Sequence, residues 1–268
     1  ARFSLAVPFL LPFVFLSPIP SLDLTFWKTF FILLPLEVTA ISFYIRAIKL
    51  SPLSLTIPLL GLTPLFLIIT SFLILGEFPD RSGLIGIFFI AGGAYLLNLN
   101  SIQKGFLAPL QNILKSKGSL MMIGASFIYS ITSNLGKIAV FHSNPIFFCA
   151  FYTISLAMAL SPRAVFLMRK KPFNFWSKLK TFLPIGFFYA LMTIAHYQAL
   201  ARVEVAYMIS IKRMSLIFSV IYGGLIFKEE NLKERLFGTL CMITGAVLIT
   251  LFSLNKEETY VSSAVSDE

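Results

Sequence analysis

Charge is scarce in this chain of 268 residues. Only 13% of the residues are charged, whereas 57% are hydrophobic, and the mean hydropathy is +0.85. Soluble domains carry about 25% charged residues and a smaller apolar share. The composition therefore excludes a soluble globular domain and predicts a chain that folds in lipid.

Cysteine and histidine are each present only twice. Cys149 and Cys241 lie inside apolar runs without a CxxC motif or a Cys/His partner, which is typical of small buried hydrophobic residues. His142 and His196 are the two histidines, and the sequence has no HExxH, GxSxG or P-loop motif. Neither metal-dependent nor nucleotide hydrolysis has the groups it needs. We therefore expect no enzyme activity, no metal and no cofactor.

Acidic residues are also few, 12 against 22 basic ones, and the formal net charge is +10. A nucleic-acid-binding surface would gather such charge into a stripe with interleaved aromatic side chains. Here the basic residues lie mainly in short loops between apolar runs. We therefore expect the lipid bilayer, and no nucleic acid, as a partner of this chain.

Long apolar runs, by contrast, are abundant. A helix needs about 20 apolar residues to cross the hydrocarbon core of a membrane. Nine segments meet or approach that length, and they cover residues 1–18, 26–46, 53–75, 82–99, 119–140, 145–167, 181–200, 204–227 and 234–253. The sequence therefore predicts an all-α membrane protein with about nine transmembrane helices. A connecting loop at 100–118 divides the chain, and residues 255–268 form a polar tail.

The two parts of the chain repeat one another. A shift of 152 positions without a gap aligns "YIRAIKLSPLSL" (44–55) with "HYQALARVEVAY" (196–207). The same shift holds over about 50 residues and aligns three further pairs, Glu77 with Glu229, Gly86 with Gly238, and Gly93 with Gly245. A single offset that persists over this length indicates an internal repeat.

Five predicted spans separate each helix from its counterpart, so the two copies cross the membrane in opposite directions. Such an inverted repeat is the ground plan of many secondary transporters, whose substrate site lies near the midplane. Because Ala1 is aligned with Thr153, the N-terminal copy at 1–99 lacks its first helix and part of the second, whereas 119–254 forms the C-terminal copy. We expect a truncated form of a ten-helix protein with two five-helix halves.

Two pairs of segments carry a resemblance to a known family. They are "AIKLSPLSLTIPLLGLTPLFLIITSFLILGE" with "GIFFIAGGAYLL", and "ALARVEVAYMISIKRMSLIFSVIYGGLIFKE" with "GTLCMITGAVLI". These segments resemble the EamA domain of the drug/metabolite transporter superfamily, and the resemblance covers nearly the whole chain. It implies ten helices in two inverted halves and the transport of small metabolites, whose chemistry varies widely within one fold.

Polar side chains inside the predicted spans are candidate site residues, because a charge at the bilayer centre costs about 2.5 to 3.5 kcal/mol. Four of them stand out, namely Glu37, His196, Lys212 and Arg213. Lys137 lies near the end of its span, and we expect it to extend to the lipid headgroups and not to bind substrate.

The repeat extends this set with uncharged polar residues. The positions of Glu37 and His196 hold tyrosine in the other copy, and a threonine continues the same helix face. The offset also aligns a threonine of the third span with a serine that lies three residues after Lys212 and thus on the same predicted helix face. The candidates that the repeat adds are Tyr44, Tyr189, Thr193, Thr63 and Ser215. We expect all of these residues to line one substrate site.

Charge counting favours an anionic substrate. If Glu37 pairs with Lys212 or Arg213, about one positive charge remains at the midplane. Arginine offers a planar fork for a carboxylate or phosphate, and lysine a point charge beside it. The dipeptide resembles a Lys-Arg pair that contacts phosphate in the triose-phosphate and sugar-phosphate translocator branch of the superfamily. A structural lock, in which both cations pair only with Glu37 and backbone carbonyls, is the open alternative.

The loop charges predict an orientation. Lysine and arginine concentrate in the loops 100–118, 163–180 and 228–235, which share one side of the membrane if nine spans are present. The positive-inside rule makes this side cytoplasmic and places the polar tail outside. The EamA resemblance implies instead that both ends lie in the cytoplasm, so the orientation of the termini stays open.

We therefore predict a secondary transporter of a small, anionic metabolite that works by alternating access in the cell (inner) membrane. Two alternatives stay open: an exporter of amino acids or other neutral or zwitterionic metabolites, and a non-transporting membrane scaffold or accessory subunit. Polar faces on several helices disfavour the scaffold, which needs no polar midplane. The sequence leaves the oligomeric state, the coupling ion and the direction of transport open.

Overall fold

The computed structural model describes residues 2–16, 18–51, 56–96, 116–170, 179–215, 237–238 and 240–249. Within these ranges the regular structure is helical and contains no strand, which confirms the all-α prediction for them. The polar tail, most of the connecting loop and the second half of the predicted segment 204–227 lie outside the described residues.

The helices are numbered here in chain order. They are α1 (Arg2–Leu16), α2 (Leu24–Leu50), α3 (Thr63–Leu75), α4 (Arg81–Leu96), α5 (Lys117–Phe141), α6 (Pro145–Lys170), α7 (Leu179–Leu200), α8 (Val205–Arg213) and α9 (Leu240–Ile249), and a 3-10 helix at Ile57–Leu62 precedes α3. Asp23 and Asn144 cap α2 and α6, because each side chain accepts a backbone N–H of the first helical turn. α3 ends at Gly76, whose φ of 70° suits glycine.

Two of the described helices are long and apolar enough to cross a membrane by length and composition, Leu24–Leu50 and Pro145–Pro162. Shorter apolar helices cover Arg2–Phe15, Leu59–Leu75, Arg81–Gly93 and Leu240–Ile249. The count of nine spans therefore stays a prediction.

The chain divides into two compact units. Unit 1 comprises Ala1–Thr39 and Thr132–Val203, and unit 2 comprises Ala40–Ile131 and Glu204–Glu268. Two of the boundaries fall inside α2 and α5, and the third lies between α7 and α8. Segments that the 152-residue offset relates share a unit, α1 with α6 in unit 1 and α4 with α9 in unit 2.

Aromatic side chains fill part of the core of unit 1. In this unit α1 packs against α6 and α7, and α6 packs against α7. Phe26 and Phe148 are fully buried, and their ring centres lie 6.1 Å apart in an edge-to-face arrangement. Phe30 and Phe151 continue the contact, with ring centres 5.1 Å apart. Such pairs contribute about 0.5 to 1.5 kcal/mol beyond their buried area, and they fix the start of α2 against α6.

A polar pair lies at one end of unit 1. Nδ1 of His142, which follows α5, is 2.7 Å from Oδ2 of Asp23, which precedes α2. The Phe26 N–H donates to the same carboxylate, and this bond together with the contact to His142 holds the pKa of Asp23 below its ordinary value of 3.8. The start of α2 and the end of α5 thus lie at the same end of unit 1.

Glycines bring α4 and α9 into close contact in unit 2. A Cβ atom on Gly86 would lie 2.7 Å from the carbonyl oxygen of Gly245, and one on Gly93 would lie 2.6 Å from that of Gly238. The earlier glycine of α4 thus meets the later glycine of the partner segment, so the two helices run antiparallel. The absence of side chains at these positions permits the close approach of the two backbones.

A break in helical geometry precedes α3. The backbone N–H of Thr63 bonds to the carbonyl of Leu60 as in a 3-10 helix, which leaves the carbonyl of Leu59 without the donor that an α-helix would supply. Pro64 has no N–H and cannot donate to Leu60 either. The hydroxyl of Ser126 on α5 donates to the Leu59 carbonyl at 2.9 Å, and the Thr63 hydroxyl donates to the Leu60 carbonyl at 2.7 Å. Hydroxyl donors therefore stabilise the break.

Candidate functional site

Arg213, the last residue of α8, reaches the break before α3. Its Nη2 donates to Oγ1 of Thr63 at 2.9 Å, and Thr63 is fully buried. Tyr44 and Tyr129 are the other side chains that act electrostatically on the guanidinium. The described partners of Arg213 in unit 2 are thus a hydroxyl and two phenols.

One hydrogen-bond donor of Arg213, its Nε, is unused among the described residues. Its Nε is buried and has no hydrogen-bond partner among the described residues. Within the described part of unit 2, no carboxylate forms an ion pair with this side chain. Buried polar groups in folded proteins are generally hydrogen-bonded, and arginine donors favour carboxylate and phosphate oxygens. The arrangement is therefore suited to contact an anion.

The other end of α8 is tied to the loop before α4. Oε2 of Glu77 accepts the N–H of Val205 at 3.1 Å. The hydroxyl of Tyr207 donates to Oδ1 of Asp80 at 2.8 Å and accepts the Asp80 N–H at 3.1 Å. A Cβ atom on Gly83 would collide with the Tyr207 ring. Two carboxylates thus receive the N-terminal end of α8, where the helix dipole favours negative charge, and they fix the helix that carries Arg213.

Lys212 and Arg213 contact different surroundings. Arg213, and not Lys212, contacts Thr63. Successive residues on a helix point about 100° apart, so the two side chains leave α8 in different directions. The Lys212 side chain is exposed, and so is that of Ser215, which follows the end of α8. The two cations therefore point in different directions from α8.

The remaining candidates divide between the units. Glu37, Tyr189, Thr193 and His196 belong to unit 1, whereas Tyr44 belongs to unit 2. The Glu37 carboxylate acts electrostatically on the Tyr189 phenol, and the Thr193 hydroxyl donates to the Tyr189 carbonyl at 2.7 Å. Thr193 and Tyr189 are neighbours on one turn of α7, and the charge of Glu37 lies near enough to influence the Tyr189 phenol. The role of Glu37 as counter-ion of the two cations stays a prediction.

The ring of His196 lies against that of Tyr197, with their centres 4.9 Å apart. Tyr197 is buried, and the Glu37 carboxylate acts on its phenol as well. His196 therefore lies next to Tyr197, whose phenol the Glu37 carboxylate also influences.

The expectation that Lys137 extends to the lipid headgroups is wrong. This side chain is only 5% exposed, and its Nζ donates to the carbonyl of Val203 at 2.8 Å in the connection between α7 and α8. It also lies 5.5 Å from the centre of the Phe141 ring. Within unit 1 a nearby carbonyl and an aromatic face satisfy the ammonium group, so that it does not extend to the headgroups.

Several residues of the site escaped the sequence reasoning. Ser126 and Tyr207 were not selected, because a single hydroxyl in an apolar helix gives no signal without its partner. Among the described residues, no group of three or more His, Cys, Asp or Glu side chains could hold a metal ion.

Comparison with known proteins supplies the family. The model of the EamA-like transporter family matches residues 1–99 and 116–251. A solved structure described as "Crystal structure of protein" is 16% identical, with a TM-score of 0.61 over 94% of this chain and 100% of that chain. This likeness concerns the fold alone. No curated protein matches the sequence. The chain belongs to the EamA-like transporter family of the drug/metabolite transporter superfamily, and it is an integral membrane protein that transports small molecules.

Proposed function

We propose that this protein is a secondary transporter of a small anionic metabolite that works by alternating access, with Arg213 as the direct contact for the anion. Lys212 adds positive charge from another direction, and Thr63 holds the guanidinium. Glu37 is the proposed counter-ion of the two cations. Tyr44, Tyr189, Thr193, His196 and Ser215 complete the proposed set of substrate-binding residues.

One observation carries the proposal. Arg213 has a buried Nε without a described partner, and its one described hydrogen bond goes to a neutral hydroxyl. A cation at membrane depth costs about 2.5 to 3.5 kcal/mol on insertion scales, and one neutral hydrogen bond offsets only about 0.5 to 1.5 kcal/mol of this cost. An anionic substrate would supply both the missing acceptor and the compensating charge.

The break before α3 supports a binding site at this position. A 3-10 stretch that continues into an α-helix often marks a functional hinge, and transporter sites often use discontinuous helices. Thr63 stands at the start of α3 and directs its hydroxyl to Arg213. The Arg213 guanidinium therefore lies at the junction between the 3-10 helix and α3.

The glycine contacts support the inverted repeat on which alternating access depends. The sequence offset aligns Gly86 with Gly238 and Gly93 with Gly245, whereas the structure packs Gly86 on Gly245 and Gly93 on Gly238. A two-fold axis in the membrane plane would produce this exchange of partners between two antiparallel copies. Inverted-repeat transporters alternate by rocking such copies about a fixed site.

Counterflow in proteoliposomes tests the substrate class. Vesicles loaded with phosphate, a sugar phosphate or a dicarboxylate would be assayed for uptake of the labelled compound, with alanine as the zwitterionic comparison. We expect counterflow with at least one anion, and its loss in the double variant Lys212→Gln, Arg213→Gln. Counterflow with alanine alone would favour the neutral or zwitterionic exporter, and no counterflow with a broad metabolite panel would favour the scaffold.

A further inference from the structure

Small polar residues of unit 2 join the end of α2 to the start of α5. The hydroxyl oxygens of Ser51, which follows α2, and Ser116, which precedes α5, lie 2.7 Å apart. A Cβ atom on Gly118 would collide with the Ser51 side chain and would lie 2.8 Å from the carbonyl oxygen of Ala47. The glycine therefore permits the two helix ends to come this close.

The first turn of α5 has unused backbone donors. The Ser116 hydroxyl accepts the N–H of Ser119 at 3.3 Å, and the Ser116 carbonyl accepts that of Leu120 at 3.1 Å. The N–H groups of Lys117 and Gly118, which start the helix, have no acceptor among the described residues. Unpaired N–H groups and the positive end of the helix dipole together favour an anion at such a position.

Positive side chains surround these donors. The first turn of α5 has no acidic residue and begins with the exposed Lys117, although the helix dipole disfavours a cation there. Lys49 is exposed in the last turn of α2. The acidic residues in the described part of unit 2, Glu77, Asp80 and Glu204, precede α4 and α8 instead. The two lysines therefore have no described counter-ion at this end of α5.

A buried hydroxyl belongs to the same turn. Ser119 is fully buried, and its Oγ has no hydrogen-bond partner among the described residues. Met122, one turn later on the same face, packs with Ala47 of α2, so Ser119 lies on the side of α5 that faces α2. Because Cα–Cβ bonds tilt toward the start of a helix, the Ser119 side chain is directed to the first turn. Buried hydroxyls are generally hydrogen-bonded, so this one is a further donor for a ligand.

We infer that the end of α2 and the start of α5 form a binding site for a phosphate group, which a lipid headgroup or free phosphate supplies. The N–H groups of Lys117 and Gly118 and the Ser119 hydroxyl donate to the phosphate oxygens. The ammonium groups of Lys117 and Lys49 balance the negative charge. A phosphate suits these donors because it has several strong acceptor oxygens in different directions.

The inferred site is separate from the proposed anion contact at Arg213. Ser126, the residue of α5 that bonds to the break before α3, follows Ser119 by seven residues, which is about 10 Å along the helix. The start of α5 also follows the basic connecting loop, which the positive-inside rule assigns to the cytoplasmic side, where anionic lipids are enriched. The inference therefore does not depend on the identity of the transported substrate.

Thermal unfolding of the delipidated, purified protein tests the inference. Phosphatidylglycerol is compared with diacylglycerol, which lacks the phosphate, and sodium phosphate with sodium chloride at equal ionic strength. A ligand of the folded state raises the melting temperature, and its concentration dependence gives a dissociation constant. A response to phosphatidylglycerol alone identifies a lipid headgroup as the source, and a response to sodium phosphate alone identifies free phosphate. No rise beyond the phosphate-free controls would overturn the inference.

Matched variants separate binding from folding. Ser119→Ala should weaken binding several-fold, while its melting temperature without ligand stays equal or rises, because a buried hydroxyl without a partner is removed. A hydroxyl with a merely structural role would give the reverse, a lower melting temperature and unchanged binding. Lys117→Gln should raise the dissociation constant about tenfold. Lys28→Gln removes an exposed lysine near the start of α2 and should leave the dissociation constant unchanged.

Arg213→Gln distinguishes this inference from the proposed function. Weaker binding in Ser119→Ala and Lys117→Gln, with none in Arg213→Gln, would support a phosphate site at the start of α5. Weaker binding in Arg213→Gln alone would place the phosphate at the proposed substrate contact and overturn the inference. Unchanged binding in both Ser119→Ala and Lys117→Gln would overturn it as well, and counterflow would still decide the proposed function.

Discussion

The Thr63 hydroxyl accepts a hydrogen bond from Nη2 of Arg213 at 2.9 Å and donates its own proton to the Leu60 carbonyl at 2.7 Å. One side chain thus closes the helix break and holds the cation. A hydroxyl can do both because it carries one donor and two acceptor lone pairs. The position of Arg213 therefore depends on the same group that stabilises the start of α3.

Replacing Thr63 tests this dual role. Thr63→Val keeps the side-chain shape but leaves the Arg213 Nη2 without this partner, at a cost of about 1 to 3 kcal/mol for an unsatisfied buried group. The Leu60 carbonyl loses the hydroxyl donor and keeps the backbone N–H of Thr63. We expect a lower melting temperature and a several-fold higher substrate concentration for half-maximal counterflow. Thr63→Ser retains the hydroxyl and should stay close to the unmodified protein. Equal half-maximal concentrations in the two variants would show that the hydroxyl does not position Arg213.

Two neighbouring glycines of α4 offer a matched pair. A Cβ atom on Gly93 would lie 2.6 Å from the Gly238 carbonyl, whereas one on Gly92 would have nothing within 4 Å. We expect Gly93→Ala to lower the stability by about 1 to 3 kcal/mol through overpacking. Gly92→Ala should be neutral or slightly stabilising, because alanine favours the helix. Thermal unfolding in detergent measures both, and equal melting temperatures would contradict the close approach of α4 and α9.

The contacts that hold the start of α8 against the loop before α4 can be removed in two ways. Tyr207→Phe removes both hydrogen bonds to Asp80, and Gly83→Ala pushes a methyl group into the Tyr207 ring. We expect each to cost about 1 to 3 kcal/mol and to reduce counterflow, because α8 carries Arg213. Ser82→Ala removes an exposed bond to the same aspartate, and its effect should stay within about 0.5 kcal/mol. Similar melting temperatures and transport in all three variants would show that the contacts of Tyr207 with Asp80 and Gly83 do not hold α8 in place.

The pair of Asp23 and His142 predicts a dependence of stability on pH. The pKa of Asp23 is lowered in the folded protein, first by the Phe26 N–H and then by His142. An aspartate with a lowered folded pKa stabilises the protein above its unfolded pKa of about 3.9, and this contribution disappears as the pH falls through the folded pKa. We expect Asp23→Asn, which keeps a capping side chain, to melt earlier than the unmodified protein at pH 7. The difference should shrink below pH of about 4; a difference that does not change with pH would show that the charge has no role.

The sequence predicted the features that depend on residues close together or on a single offset. The apolar runs predicted helices, and one shift of 152 positions selected the glycines that pack in unit 2. The same shift selected Glu77, whose carboxylate accepts the N–H of Val205 at the start of α8. Each of these features follows from local backbone chemistry or from symmetry.

Side-chain partners between distant segments could not be predicted. Adjacent cations at Lys212 and Arg213 look alike in the sequence, and only the rotation of α8 decides which of them meets Thr63. Lys137 looked like a headgroup anchor because its hydrogen bond to the Val203 carbonyl joins residues 66 positions apart. The stacking of Arg2 on Tyr189 likewise depends on how α1 packs against α7.

The half-maximal substrate concentration for counterflow in Arg213→Gln tests the central claim most directly. Arg213→Lys tests the fork, and Arg46→Gln serves as the control for a lost exposed charge. Loss of a charge-assisted contact predicts a rise of about tenfold or more in Arg213→Gln, a smaller rise in Arg213→Lys and none in Arg46→Gln. An unchanged half-maximal concentration in Arg213→Gln would contradict the assignment of Arg213 as the anion contact.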